Sequence, residues 1–218
     1  LGMTIQGHDS TLPVTVADMA YHTAAVRRAN QHAFIMTDLP FMSYATLNDA
    51  LQNARTVMQA GAQMVKIEGG AWLADTVKNL TRNGIPVCMH LGLTPQSVHV
   101  FGGYKVQART RETADQLIAD CKAVVDAGAA ILLLECVPAQ VGKEISELFP
   151  QTPVIGIGAG GNVDGQVLVV ADMLGMTDGF RPRFLRRYAD LHTVMKGAIG
   201  QYVEDVKSGD FPNENEQY

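Results

Sequence analysis

Short apolar runs recur along this chain, and four of them end in an ionisable side chain. Ala33–Met36 leads into Thr37-Asp38, Met64-Val65 into Lys66-Ile67-Glu68, Val87–Met89 into His90, and Ile131–Leu134 into Glu135. A short apolar run bounded by turn residues reads as a strand buried on both faces of a sheet. The predicted strands are Ala33–Asp38, Met64–Glu68, Pro86–His90, Ala130–Glu135 and Pro153–Gly158, with Gly165–Met173 supplying one more. Between them lie helical stretches at Val16–Ala29, Leu47–Ala60, Gly70–Asn83, Thr110–Ala127 and Ala139–Phe149. Thr46, with Asp49 three positions on, has the spacing of a capping box, and Gly61, Gly84 and Gly128 stand where helices end. Pro182–Ser208 reads as a long terminal helix and a candidate oligomer contact, and the polar tail Gly209–Tyr218 as frayed.

Helix and strand in strict alternation, with short helix-to-strand connections, imply right-handed βαβ units and a parallel sheet. A closed barrel and an open doubly wound sheet both satisfy this rhythm. The barrel is favoured because charged strand ends recur along the chain, collecting on one rim, instead of clustering at a single switch point. Six strands are two short of a closed (β/α)8 barrel. Together with a first residue that is Leu1, this reads as one barrel domain over residues 1–218 whose first βα units are missing. Leu91–Arg109, with Pro95 and Gly102-Gly103, reads as a mobile loop over the rim.

Composition narrows the function classes. Hydrophobic content of 47% and charged content of 18% describe an ordinary globular core. A net charge of −5 without a Lys/Arg cluster argues against nucleic acid, and no apolar run is long enough to span a bilayer. Leu1–Ser10 lacks the basic and apolar regions of a signal peptide. Cys88, Cys121 and Cys136, odd in number and without a CxxC pair, read as buried thiols in a reducing, cytoplasmic compartment.

Each charged strand end has a functional and a structural reading. Asp38 is either a turn cap or, with Glu68 on the next strand, one of two hard oxygen ligands suited to Mg²⁺. Lys66 and Glu68, two apart, share a face; they form an internal ion pair, or Lys66 receives an anionic substrate beside the metal. His90 is either a satisfied core histidine or a substrate contact before the long loop. Glu135 follows four aliphatic residues; it either caps the next helix or, poorly solvated, transfers a proton near neutrality. Gly156–Gly161, GIGAGG, reads weakly as a phosphate cradle or as room for a ligand, and it lacks the acidic strand of a dinucleotide fold.

The strings MTIQGHDSTLPVT, LPFMSY, VKIEGG, HLGLTPQS, FGGYKVQAR, LLLECVP and VIGIGAG…DGQ, in this order, resemble the ketopantoate hydroxymethyltransferase family from Gly2 to about Pro212. The resemblance implies a TIM barrel of the phosphoenolpyruvate mutase/isocitrate lyase type, a Mg²⁺ cofactor and a homo-oligomer, typically a decamer. It implies transfer of a one-carbon unit from 5,10-methylenetetrahydrofolate to 3-methyl-2-oxobutanoate in pantothenate synthesis. By matching position, it gives Asp38 a role with metal and substrate, Glu68 a role near the metal, Lys66 and His90 roles in substrate binding, and Glu135 that of proton acceptor. In the family an Asp-Ser pair that binds metal and substrate lies immediately before the position of Leu1. Two competing readings are a Mg²⁺-dependent 2-oxo acid carbon–carbon lyase or mutase on the same barrel, and an inactive truncated fragment.

Overall fold

The computed structural model describes residues 1–179 and 181–218. They form two compact units, Leu1–Val167 and Leu168–Tyr218.

In the first unit, α1 (Val16–Ala29) opens on Thr15, whose hydroxyl accepts the Asp18 N–H while the Asp18 carboxylate accepts the Thr15 N–H. This reciprocal pairing satisfies two donors that a helix start would otherwise leave open. Then follow β1 (Met36–Asp38), α2 (Leu47–Gln59), β2 (Met64–Glu68), α3 (Ala74–Arg82) and β3 (Val87–Gly92). After these come α4 (Val98–Phe101), α5 (Arg111–Asp126), β4 (Ile131–Glu135), α6 (Ala139–Leu148), β5 (Val154–Ile157) and β6 (Gly165–Gln166).

The six strands pair in chain order, β1 to β6, and every pair is parallel. Each crossover therefore advances the sheet in one direction, and no switch point exists among the described strands. That is the winding of a sheet curling toward closure, and it removes the doubly wound alternative.

Strand periodicity divides the side chains between two faces. Val65, Ile67, Met89, Leu91, Leu132 and Leu134 join the main core with residues of the helices, such as Val57, Leu80, Cys121 and Ile145. Each of the larger fully buried aliphatic side chains stabilises the unit by roughly 1.5–3 kcal/mol. On the other face Met64, Cys88 and Leu133 form a smaller cluster with Met36, Ile131 and Ile157. Two residues beyond members of that cluster, on the same face, stand Asp38, Lys66, His90 and Glu135, with Glu68 two beyond Lys66. A period of two therefore carries the apolar floor directly into the ionisable rim.

Three expectations for the strands and the rim loop need correction. β1 begins at Met36, not Ala33, because the Asn30 side chain bonds both the N–H and the carbonyl of Ala33 and holds a turn there. The run from Gly165 to Met173 yields only the two residues of β6, while Val170–Met173 is helical, with the Met173 N–H bonded to the Val169 carbonyl. A short apolar run does not by its periodicity distinguish strand from helix. Leu91–Arg109 is also more ordered than a bare loop. β3 continues to Gly92, a 3-10 turn spans Pro95–Ser97, and α4 ends at Gly102 with φ 63°.

Gly92 is the glycine on which the rim depends. It has φ 86°, and a Cβ there would lie 2.4 Å from the Glu135 carbonyl oxygen and 2.8 Å from Val137 Cγ1. Gly92→Ala is therefore expected to destabilise the protein by about 2 kcal/mol, by strained backbone and by steric conflict. Urea unfolding measures this; an unchanged midpoint would mean that strands β3 and β4 do not approach as described.

In the second unit, α7 (Val170–Met173) is followed by irregular chain and by α8 (Leu191–Ser208). The predicted helix from Pro182 starts late because Asp190 caps it, accepting from the Thr193 N–H at 3.5 Å and from the Thr193 hydroxyl at 2.8 Å. No residue of α8 is buried; Val194, Ile199, Tyr202 and Val206 are exposed. Among the described residues no helix is long and apolar enough to cross a membrane.

Candidate active site

The strand-end charges converge. β1 and β2 place Asp38 opposite Lys66, β2 and β3 place Glu68 opposite His90, and β3 and β4 place Gly92 opposite Glu135. The Glu135 side chain approaches His90, two residues before Gly92 on β3. All five ionisable residues line one cavity of about 220 Å³ together with Pro40, Pro95 and Gln96.

Lys66 Nζ lies 3.0 Å from Asp38 Oδ1; its side chain is 12% exposed, against 46% for Asp38. The same ammonium is 3.2 Å from His90 Nδ1. His90 Nδ1 is 3.6 Å from Glu68 Oε1, and Nε2 is 3.2 Å from Glu135 Oε2. The Nε2 contact is one of charge, because its N–H has no aligned acceptor. In a neutral ring Nδ1 accepts from Lys66; in the imidazolium its N–H turns to Glu68. Lys66 thus forms the internal ion pair with Asp38, and it also lines the cavity.

Burial and the Lys66 charge pull the His90 pKa down, but the carboxylates of Glu135 and Glu68 outweigh them, and it lies above the ordinary imidazole value. Burial pushes Glu68 up, yet the His90 contact, the Lys66 charge and the Gln96 N–H together hold it below the usual carboxylate range. Burial opposes the charge on Lys66, and Asp38 and Glu68 reverse this and raise its pKa. Cys88, beneath Lys66 on the same face, is pushed up to about 12 by burial and stays a thiol.

A pH prediction follows. The raised His90 pKa stabilises the fold fully below its unfolded value, near 6.5, and that stability is lost as pH rises through the folded value. The lowered Glu68 pKa stabilises the fold above its unfolded value, near 4.5, and that stability is lost as pH falls through the folded value. Urea midpoints are expected to be highest between these two values, and His90→Asn should flatten the alkaline side. A flat wild-type profile from pH 5 to 8 would contradict this balance.

Two residues without charge also shape the site. The Gln96 N–H donates to Glu68 Oε2 at 2.9 Å, and the buried Tyr44 hydroxyl donates to Gln96 Oε1 at 2.6 Å. Neither carries a mark in the sequence beyond its place in the strings LPFMSY and HLGLTPQS. GIGAGG packs against the start of α6. Ala159 within it is fully buried, and a Cβ on Gly142 or Gly160 would collide with Ala159 or Ala139, so the run admits the start of α6.

For Mg²⁺, the donor set is a pair of carboxylates. Among the described residues no group of three or more His, Cys, Asp or Glu side chains could hold a metal ion. Magnesium is commonly held by one or two carboxylates, with waters and substrate oxygens completing its shell. Asp38, half-exposed on the cavity, fits that pattern directly. Glu68 lines the same cavity, with Oε2 already accepting from Gln96.

The model of the family described as ketopantoate hydroxymethyltransferase matches residues 1–214. The chain belongs to this family. It is 82% identical over 188 residues to the 3-methyl-2-oxobutanoate hydroxymethyltransferase of Acinetobacter baumannii (strain AYE), a match covering 86% of the chain and 70% of that relative. It is 56% identical over 218 residues to the enzyme of the same name from Shigella flexneri serotype 5b (strain 8401), covering 100% of the chain and 82% of the relative. Solved structures share this chain's fold at low identity. A phosphonopyruvate hydrolase has a TM-score of 0.56 at 8% identity, covering 94% of this chain and 71% of its own. A 2,3-dimethylmalate lyase of the PEP mutase/isocitrate lyase superfamily has a TM-score of 0.51 at 12% identity, covering 97% and 72%.

Proposed function

We propose that this chain transfers a hydroxymethyl group from 5,10-methylenetetrahydrofolate to 3-methyl-2-oxobutanoate, giving ketopantoate for pantothenate synthesis. The observation that carries the reading is the meeting of Asp38, Lys66, Glu68, His90 and Glu135 in one cavity, within a chain of this family. The substrate has a carboxylate, an adjacent oxo group and one acidic C–H. The site has a fixed cation, two candidate metal carboxylates and a third carboxylate set apart from them.

Asp38 and Glu68 would hold Mg²⁺, which supplies Lewis acidity toward the oxo acid oxygens. Lys66 receives the substrate's negative charge, and its low exposure strengthens the attraction over that in bulk water. Water adds to the methylene carbon of the folate and both of its C–N bonds break, releasing tetrahydrofolate and a formaldehyde-level carbon. Glu135 accepts the proton from the carbon next to the oxo group, that carbon adds to the formaldehyde carbonyl, and the carbonyl oxygen takes up the proton to become the hydroxyl. His90, 3.2 Å from Glu135 and 3.2 Å from Lys66, keeps the acceptor and the cation in register. The six strands are, on this reading, consecutive members of a (β/α)8 barrel, as their sequential parallel order supports. The exposed apolar side chains of α8 support assembly as a homo-oligomer, a decamer on the family resemblance. The buried free thiols of Cys88 and Cys121 support a cytoplasmic setting.

The test is product formation from the two substrates in the full-length natural protein. Ketopantoate is expected only when both the folate donor and Mg²⁺ are present, with loss on chelation and recovery on adding Mg²⁺. Carbon–carbon chemistry on the oxo acid that is indifferent to folate would overturn the reading.

A further inference from the structure

We propose that Gln96 and Tyr44 are positioning residues that set the Glu68 carboxylate and tie it to the end of β1. The inference rests on the reading of Glu68 as part of an active site, and its geometry is a closed circuit. The Glu68 backbone N–H points to the Tyr44 hydroxyl oxygen at 3.3 Å, that hydroxyl donates to Gln96 Oε1 at 2.6 Å, and the Gln96 backbone N–H returns to Glu68 Oε2 at 2.9 Å. The circuit leaves Glu68 at its backbone and returns to it at its carboxylate, so the carboxylate is fixed relative to its own strand.

A fourth bond extends the circuit. Gln96 Nε2 donates to the carbonyl of Leu39 at 3.0 Å, and the Leu39 N–H donates to the Lys66 carbonyl at 2.9 Å. Gln96 thereby joins the end of β1, one residue from Asp38, to the end of β2. The two bonds of its side chain also decide which way the amide points: the oxygen must face Tyr44 and the nitrogen Leu39. A side chain that both donates and accepts, on a stem of this length, is required at this position. Glutamate cannot donate to Leu39, and alanine reaches neither partner.

Tyr44 and Glu68 are buried, so a broken circuit leaves polar atoms with no water to replace the partner. Gln96 stands in the short 3-10 turn Pro95–Ser97, where little else holds its N–H on Glu68. The Ser97 N–H bonds the Thr94 carbonyl at 2.8 Å, which closes the turn without anchoring it to β2. The side-chain contacts of Gln96 are therefore what hold the turn down on the carboxylate.

The test uses amide hydrogen exchange in the full-length protein without substrate, so it stands apart from the functional reading. In Tyr44→Phe the Gln96 amide is expected to exchange roughly tenfold or more faster, while amides within β3 are unchanged. A role in packing alone would speed β3 as well, or leave Gln96 unaffected, and either result overturns the proposal. The kinetic arm is a cycle of Tyr44→Phe, Gln96→Ala and the double variant. If both act through Glu68, kcat falls roughly tenfold in each single variant, the double falls no further than the worse single, and KM for the oxo acid moves less than kcat. Additive losses would overturn the circuit. Gln96→Glu, which keeps the length and loses the donor, is expected to behave as Gln96→Ala; wild-type kcat in it would show that the bond to Leu39 is dispensable.

Discussion

Lys66→Met is expected to lower kcat/KM by roughly 1,000-fold, about 4 kcal/mol of lost transition-state stabilisation. The side chain is 12% exposed and faces three carboxylates across one small cavity, with His90 as the other source of positive charge there. On the proposed function, removing it takes away the group that receives the anionic oxo acid and leaves Asp38 and Glu68 to repel that acid. The loss should therefore appear in both KM and kcat. Folding should suffer less than catalysis. Asp38 is nearly half exposed, so water can take over part of its solvation, and the cost falls below the ~3–5 kcal/mol of a fully buried broken pair. Arginine is not expected to rescue activity, because its planar fork is larger than the ammonium and the site is packed by His90 at 3.2 Å. Steady-state kinetics with the oxo acid varied measures the effect; retention of a tenth or more of wild-type kcat/KM would remove Lys66 from the substrate clamp.

Glu135→Gln is the second large effect. Magnesium-dependent exchange of the substrate C–H into deuterated water should slow by roughly 1,000-fold, within the range for loss of a general base, while oxo acid affinity changes little. The amide keeps the shape of the side chain and its place beside His90 Nε2, but it cannot take a proton at working pH. Exchange followed by NMR isolates the proton step from folate binding, so a slow overall reaction from another cause does not mimic the result. Exchange at the wild-type rate would assign the base to another residue, with His90, the nearest titratable neighbour, the first to examine.

Much of this architecture was legible in the residues themselves. Apolar runs of two to four residues, glycines closing three of the predicted helices and polar strand ends predict βαβ units, and α1, β2 and the rim residues stand where that pattern places them. These signals are local, since periodicity, caps and turn residues act over a few positions. What failed was also local but ambiguous: the apolar run near Val170 had no period to separate helix from strand, and the terminal helix waited for Asp190 to cap it.

The identity of the charged strand ends was likewise written in the sequence, because a charge after a buried strand has few structural excuses. Their partnerships were not. Only the parallel register sets Asp38 beside Lys66 and Glu68 beside His90, and only the close approach of β4 to the side-chain-free Gly92 on β3 holds the strand that carries Glu135 there. Tyr44 and Gln96 were invisible for a different reason. An uncharged side chain in a turn looks solvent-facing until the fold carries residues 24 and 28 positions away in sequence onto the same residue, Tyr44 onto the Glu68 backbone and Gln96 onto its carboxylate. The sequence by itself determined which ionisable residues stand at the strand ends. The tertiary structure decided which of them touch, since hydrogen bonds act over about 3 Å in space whatever the distance along the chain.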